Sequence, residues 1–237
     1  GHGTESSSWY ANAKILFLDI DNIHTMRKSF DELCQIAANT TVDDTDWLSI
    51  VAKTSWSSHV QKVLCGASLI AKRVANTVNI LFYFLLAFID GWDRTSQLAS
   101  LAQILLDPFC RTIRGLIMLI EKDWLAFGHK FMDRNGTTQR PNERSPIFFQ
   151  FVECVWQIVQ QFPEEFEFDE SFLIRLADHH GSYWFGNFLY NSEKERVDNE
   201  VHNRCISLWS WPIERSTRYN PDPEKKVCVC FKKKKNY

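Results

Sequence analysis

Asn79-Ile-Leu-Phe-Tyr-Phe-Leu-Leu-Ala-Phe-Ile89, followed by Asp90-Gly-Trp-Asp-Arg-Thr95, is the stretch of this sequence that decides the fold. The apolar run predicts a central strand buried on both faces, because it is uncharged and shorter than the roughly 20 residues that a membrane helix needs. The residues after it predict a loop, and the helical spacing from Leu98 to Leu105 predicts a helix. Strand, loop and helix in this order indicate an α/β arrangement.

A loop in that position has the chemistry of a phosphate site. Backbone N–H groups at a helix N-terminus point at one spot, and the helix dipole adds partial positive charge there. Gly91 permits a tight turn, Arg94 offers a planar pair of donors for phosphate oxygens, and Thr95 can cap the helix or bond the anion. Taken alone, the same residues fit an ordinary capped turn with a surface arginine equally well.

The rest of the chain predicts one more strand and many helices. Ile15 to Ile20 is a short apolar run that predicts a buried strand ending in a turn at Asp21-Asn22. Apolar spacing predicts helices over about 25–38, 60–74, 98–105, 113–124, 147–162 and 172–190, with polar, broken sequence from 191. The expected fold is therefore α/β, with a central sheet and an extensive helical C-terminal layer.

Bulk composition excludes several classes of function. The 237 residues carry a net charge of −2, so no overall field favours nucleic acid, and any anion site must be local. The seven cysteines are odd in number and scattered, which indicates reduced cysteines rather than a disulfide framework. No cysteine and histidine spacing suits a metal, so we expect neither a metal nor a cofactor, and His24, His129, His179 and His180 are interpreted as structural or surface residues.

Further segments place the loop in a family. They are Leu18-Asp-Ile-Asp-Asn-Ile-His-Thr-Met-Arg27, Asp90-Gly-Trp-Asp-Arg-Thr-Ser-Gln-Leu98, Arg111-Thr-Ile-Arg-Gly115, Glu121-Lys-Asp-Trp-Leu-Ala-Phe-Gly-His-Lys130, Arg144-Ser-Pro146, Phe162-Pro-Glu-Glu-Phe-Glu-Phe168, Asn191-Ser-Glu193 and Ser207-Leu-Trp-Ser210. Their order and spacing resemble the myotubularin family. We expect residues 1–210 to be part of a myotubularin phosphatase domain, without its first part and C-terminal end, and 211–237 to be a divergent, disordered basic tail.

The resemblance implies a cysteine-dependent phosphatase fold that acts on the 3-phosphate of phosphatidylinositol 3-phosphate and the 3,5-bisphosphate. It implies that Arg94 binds the transferred phosphate and that Asp93 is the candidate proton donor. Lys130 and Arg134, expected four apart on one helix face, would meet further phosphates of the headgroup. The remaining expected headgroup-binding residues are Asn22, Ile23, Asp90, Gly91 and Trp92.

The nucleophile that the family requires is missing from its position. The family's cysteine precedes the loop arginine by six positions, and that residue here is Phe88, flanked by Ala87 and Ile89 instead of the family's histidine and serine. A phenylalanine has no atom that can attack phosphorus, and its ring would occupy volume that a phosphate needs. Taken literally, the sequence predicts a pseudophosphatase.

Three readings of function follow. The first is an inactive homologue that regulates an active myotubularin partner, holds phosphoinositide and lies in the cytoplasm, peripheral to endosomal-type membranes. In the second, the unusual segment 79–89 and the tail come from a faulty gene model, and the true product has the cysteine and is an active phosphatidylinositol 3-phosphate phosphatase. The third is a truncated domain that neither binds nor catalyses.

Overall fold

The computed structural model describes residues 16–39, 44–76 and 91–210, and within these ranges the chain is helical. The α-helices are α1 (Ile23–Ala38), α2 (Asp44–Lys53), α3 (Trp56–Ala75), α4 (Arg94–Leu106), α5 (Ile113–Ile120), α6 (Phe131–Asn135), α7 (Ile147–Gln161), α8 (Glu170–His179), α9 (Glu193–Asp198) and α10 (Val201–Arg204). Short 3-10 turns lie at Pro108–Arg111, Pro141–Glu143, Pro163–Glu165 and Leu208–Ser210, and a π-helical turn, Glu121–Ala126, continues α5. None of these helices has both the length and the apolar composition of a membrane-spanning segment.

Side-chain caps fix where several of these helices begin. The Asn22 Oδ1 accepts the backbone N–H groups of His24 and Thr25, both at 3.0 Å, at the start of α1. Thr112 caps α5 in the same way, since its hydroxyl accepts the N–H of Gly115 at 2.9 Å. Such bonds satisfy N–H groups that have no partner inside the helix. The position of Asn22, beside the candidate loop, is therefore set by its own helix.

The core lies where α3, α4 and α7 pack against one another. Trp124, which is fully buried, contacts Phe148 and Phe151 of α7 at ring-centre distances of 4.9 and 5.0 Å. Its indole N–H donates to the hydroxyl of Ser100 on α4 at 3.0 Å, so the polar atom of this side chain is satisfied inside the core. The middle of α4 is thus held against a closely packed aromatic cluster.

The predicted helices around 25–38, 60–74, 98–105 and 147–162 are confirmed as α1, α3, α4 and α7. The helix predicted over 113–124 is split, because α5 passes into a π-helical turn at Glu121. The prediction of a helix to residue 190 is wrong. Helix α8 ends at His179, and the segment that follows contains Gly181 and Tyr183, whose φ of 60° is left-handed.

The strand predicted at Ile15–Ile20 is also not found over the part that the structure describes, residues 16–22. Asp19 has φ 51°, which breaks an extended conformation, while Leu18 and Ile20 pack against the core near Gly66. Of the apolar residues that indicated a strand, Leu18 and Ile20 are therefore partly buried in an irregular segment, whereas Leu16 and Phe17 are exposed. The described residues contain no strand, and the central strand predicted at 79–89 lies outside them, as does the tail from residue 211.

Candidate anion-binding site

The loop that precedes α4 is described from Gly91 onward, so the predicted residues Phe88 and Asp90 lie outside the described part of the chain. Gly91, Trp92 and Asp93 form a turn, and Arg94 is the first residue of α4. Asp93 occupies the N-cap position, but its side chain makes no capping bond there. Its carboxylate turns instead toward residues from the segment around α6.

Asp93 is a buried carboxylate that contacts the side chains of His129 and Arg134. The Arg134 Nε lies 3.1 Å from both Asp93 oxygens, and its Nη2 donates to Oδ2 at 2.7 Å. The His129 Nδ1 lies 3.1 Å from Oδ1. Burial alone would raise the pKa of Asp93, but the bonds from His129 and Arg134 outweigh it and lower that pKa to about 2.

A carboxyl group with this pKa carries no proton at neutral pH. In the described geometry Asp93 therefore shapes the loop, and the arrangement does not favour the predicted role of proton donor. That role stays a prediction.

Arg134 is buried and fully engaged. Its Nη1 donates to the backbone oxygen of Glu143 at 2.8 Å and to a Glu143 carboxylate oxygen at 3.0 Å, while its other two nitrogens bond Asp93. Burial acts to lower the pKa of Arg134, but the two carboxylates raise it above its ordinary value. A phosphate could bind Arg134 only in competition with these partners.

Lys130 and Arg134 do not share a helix face, and that part of the prediction is wrong. Gly128, with φ 95°, turns the chain after the π-helical segment, and Lys130 is the N-cap of α6 rather than a residue within it. The Lys130 Nζ lies 4.1 Å from the centre of the Trp92 ring, which is a cation–π contact. Lys130 thus contacts Trp92 of the loop, and Arg134 contacts Asp93.

Arg94 has a different kind of environment. It is buried, with 8% of its surface exposed, and its Nη1 donates to the side-chain oxygens of Gln97 at 2.6 Å and Gln150 at 3.1 Å. Its Nη2 donates to the backbone oxygen of Asp21 at 2.8 Å. Burial lowers the pKa of Arg94 to about 10, so the group is still charged at neutral pH.

The acceptors around Arg94 are all uncharged amide or carbonyl oxygens. Within the described ranges, no carboxylate makes a hydrogen bond to this guanidinium, in contrast to Arg134 with its two. A buried charge without a bonded counter-charge is costly, and an anion that bound beside it would reduce the cost. The contact with Asp21 also brings the loop next to Asn22 and Ile23, which follow it in the chain.

His129 is a site residue whose role sequence reasoning missed. It is fully buried, and its Nδ1 faces two acceptors, the Trp92 backbone oxygen at 3.0 Å and Asp93 at 3.1 Å. Two acceptors on one ring nitrogen indicate that Nδ1 carries the proton. Trp124 and Phe131 enclose the ring in edge contacts at 4.8 and 4.7 Å. The one available signal was its position between these two aromatic residues.

Neither of the two buried cysteines in the described part of the chain offers a replacement nucleophile. Cys154 interacts electrostatically with Arg94, but it is fully buried, and burial raises its pKa well above the ordinary value. Burial also raises the pKa of Cys110, to about 11. A thiol with a raised pKa is protonated at neutral pH and does not attack phosphorus.

A cleft of about 360 Å³ opens beside Lys130. Two cationic residues, Lys130 and Arg140, and two acidic residues, Asp133 and Glu195, line it. Asn191 completes the wall and fixes it to α6, because its side-chain oxygen accepts the backbone N–H of Asp133 at 3.1 Å. The cleft extends the loop region toward the segment between α8 and α9.

The sequence of this chain is similar to those of known proteins. The sequence pattern of the family described as "Myotubularin-like phosphatase domain" matches residues 1–197. Myotubularin of Xenopus tropicalis is 44% identical over 225 residues, which is 93% of this chain and 37% of the relative. The phosphatidylinositol-3,5-bisphosphate 3-phosphatase MTMR2 of Mus musculus is 45% identical over 215 residues, which is 89% of this chain and 33% of the relative. MTMR6 of the same organism, which has the same enzyme name, is 41% identical over 224 residues, 93% of this chain and 36% of the relative.

The chain spans about a third of the length of the curated relatives that it matches. Within that span, the family pattern covers the loop, the segment around α6 and the motifs that surround them. A cysteine-phosphatase-like fold is therefore supported for the domain to which these helices belong. This chain is a member of the myotubularin family and contains part of its phosphatase domain.

Proposed function

We propose that this chain recognises the headgroup of 3-phosphorylated phosphoinositides, has no phosphatase activity of its own, and serves as a regulatory partner of an active homologue. The named relatives are phosphoinositide 3-phosphatases, which supports this class of ligand. The domain that binds comprises residues 1–210, and the tail from 211 is a separate, divergent segment. The chain belongs in the cytoplasm, peripheral to endosomal-type membranes, where such lipids would be met.

One observation supports the proposal that this chain binds a phosphoinositide headgroup. Arg94 is buried at the N-terminus of α4 and is hydrogen-bonded to uncharged oxygens, so its positive charge is available to an anion. Asp93 and His129 hold the preceding turn in place, and Lys130 lies above it on Trp92. A phosphate at this point would gain a charged partner in exchange for these uncharged acceptors.

The proposal that this chain has no phosphatase activity rests on the residue at position 88 and on the burial of Cys154. Phe88 stands where the family's cysteine attacks, and a phenylalanine forms no covalent phosphoryl intermediate. Cys154, which interacts with Arg94, is held protonated by burial. A domain with these residues can keep a phosphate site while it lacks the first chemical step.

The test is to titrate the chain with inositol 1,3-bisphosphate, the soluble headgroup of phosphatidylinositol 3-phosphate, by calorimetry. We expect saturable binding that Arg94→Ala weakens about 10- to 100-fold, because a hydrogen bond to a charged group is worth about 1.5–3 kcal/mol. Arg114→Ala, which removes an exposed arginine on α5, is the matched control and leaves affinity unchanged. Absence of binding to the wild-type chain would refute the headgroup-binding role and leave only partner binding.

A second candidate function has its own support. The Asp90–Thr95 motif is intact, and identity to named 3-phosphatases is 41–45% over about nine-tenths of the chain, whereas segment 79–89 is unusual for the family. If that segment is a gene-model error, the true product is an active phosphatidylinositol 3-phosphate phosphatase. Sequencing the transcript across this region decides the matter, and an unchanged reading frame with Phe88 excludes the active enzyme.

A further inference from the structure

Two large aromatic side chains project from the segment that follows α8. Tyr183 is 42% exposed and Trp184 is 75% exposed, although both types usually bury most of their surface. Ile206, 68% exposed, lies next to them, because its backbone oxygen accepts the N–H of Gly186 at 3.0 Å. We call Tyr183, Trp184 and Ile206 the aromatic tip.

The base of the aromatic tip is well anchored. Phe185 and Phe188 are buried immediately after it, and Phe185 contacts the ring of His179 at 5.0 Å. The side-chain N–H of Asn135, at the end of α6, donates to the backbone oxygen of His180 at 3.1 Å. A side chain added at Gly186 would collide with Val201 and Cys205, so this part of the chain is closely packed. The exposed residues are therefore presented by a fixed support.

The segment that carries Tyr183 and Trp184 also forms a wall of the cleft beside Lys130. It runs from the aromatic tip to Asn191, which lines the cleft together with Lys130 and Arg140. Helix α6 connects the two features, since it begins at the Lys130 cap and ends at Asn135, and its five residues are only about 8 Å long. The aromatic tip and the cleft beside Lys130 are thus connected through α6.

We propose that the aromatic tip inserts into the interfacial region of a lipid bilayer while the Gly91–Arg94 loop holds the headgroup of a phosphoinositide in the same bilayer. This inference rests on the proposed function, and it names the surface that meets the membrane. Tryptophan and tyrosine suit this layer, because an apolar ring enters the lipid while a polar atom stays at the headgroups.

A bilayer fits this surface better than a protein partner does. A protein that reads a headgroup must bring the mouth of its site to the membrane, and exposed aromatic residues next to that mouth then enter lipid. A protein interface at the tip is the competing explanation, and the experiment separates the two.

The experiment compares vesicles with the free headgroup, using the full chain. Flotation is measured on phosphatidylcholine vesicles that contain phosphatidylinositol 3-phosphate, and calorimetry is measured with inositol 1,3-bisphosphate. We expect Trp184→Ala to weaken vesicle binding about tenfold and to leave headgroup affinity unchanged. Leu48→Ala, which removes a 79%-exposed side chain from α2, is the control and changes neither.

Quenching by lipids brominated in their acyl chains provides a second measurement. Vesicle binding should quench the fluorescence of the wild-type chain, and Trp184→Phe should remove most of this quenching while it keeps most of the binding. Equal vesicle binding by Trp184→Ala and the wild type would overturn the proposal. A loss of both vesicle and headgroup binding in that variant would indicate a structural role, and a change in oligomeric state alone would indicate a protein interface; either result also overturns it. Absence of headgroup binding by the wild type would instead refute the proposed function.

Discussion

Replacing Asp93 with asparagine removes the negative charge around which the loop is organised. The substitution keeps the size of the side chain and one of its oxygens, but it leaves the buried Arg134 with only the half-exposed Glu143 as a charged partner. It also removes the carboxylate that faces the His129 Nδ1. Breaking a buried ion pair by neutralising one partner costs about 3–5 kcal/mol, because the other charge is left uncompensated.

The pKa of Asp93 gives an independent magnitude. It falls from 3.8 to about 2 on folding, which corresponds to about 2–3 kcal/mol at about 1.4 kcal/mol per pKa unit. The two values overlap near 3 kcal/mol, and that is the loss of unfolding free energy that we expect for Asp93→Asn at pH 7. Since the total stability of a domain is about 5–15 kcal/mol, this loss is large but does not by itself unfold the protein.

The pH dependence has a definite sign. A carboxylate whose pKa is lowered by folding stabilises the folded state above its unfolded pKa, and this stabilisation is lost as the pH falls through the folded pKa. The difference in unfolding free energy between the wild type and Asp93→Asn should therefore be constant from pH 7 to about pH 5. It should shrink between about pH 4 and pH 2.

Urea unfolding followed by circular dichroism measures both effects. Asp31→Asn is the matched control, because it removes the carboxylate of the exposed Asp31–Arg144 pair and should cost about 0–1 kcal/mol. If Asp93→Asn costs no more than Asp31→Asn, or if its effect is unchanged at low pH, the reasoning about the buried pair is wrong.

Other predictions concern the missing nucleophile and the local structure around it. Phe88→Cys alone should not restore turnover, since Ala87 and Ile89 still lack the family's polar groups; release of phosphate from phosphatidylinositol 3-phosphate by that variant would contradict this. In the native chain Cys154 should resist iodoacetamide at pH 8 while exposed Cys205 reacts, because burial keeps Cys154 protonated, and mass spectrometry of the labelled peptides checks this. Asn22→Ala should lower the unfolding free energy by about 1 kcal/mol through loss of the α1 cap, whereas Asn22→Ser should cost less.

Sequence reasoning could identify the loop and the helix after it, because both depend on local signals. The change from an apolar run to Gly91 and then to helical spacing at Leu98 needs no knowledge of distant residues. Helix α4 is found there, but it begins at Arg94, so Arg94 and Thr95, which were predicted in the loop, belong to the helix. The family resemblance, carried by segments in fixed order, then gave the chemistry that local pattern alone left open.

The partners of the loop residues could not be read from the sequence. Asp93 and Arg134 are 41 positions apart, and Arg94 and Gln150 are 56 apart, so their contacts depend on how α4, α6 and α7 pack. The spacing of Lys130 and Arg134 suggested one helix face, but Lys130 is the N-cap of the short α6 and contacts Trp92, whereas Arg134 contacts Asp93. Similarly, the apolar residues after His179 suggested a longer helix, whereas Phe185 and Phe188 are buried by an irregular turn.

The central claim is that this chain holds a phosphate at Arg94 without transferring it. Phosphorus NMR of inositol 1,3-bisphosphate mixed with the chain tests both halves in one sample. We predict that the 3-phosphate resonance moves saturably with the wild type and does not move with Arg94→Ala. We also predict that no inorganic phosphate appears on prolonged incubation. Release of inorganic phosphate, or a 3-phosphate resonance that the wild-type chain does not move, would contradict it.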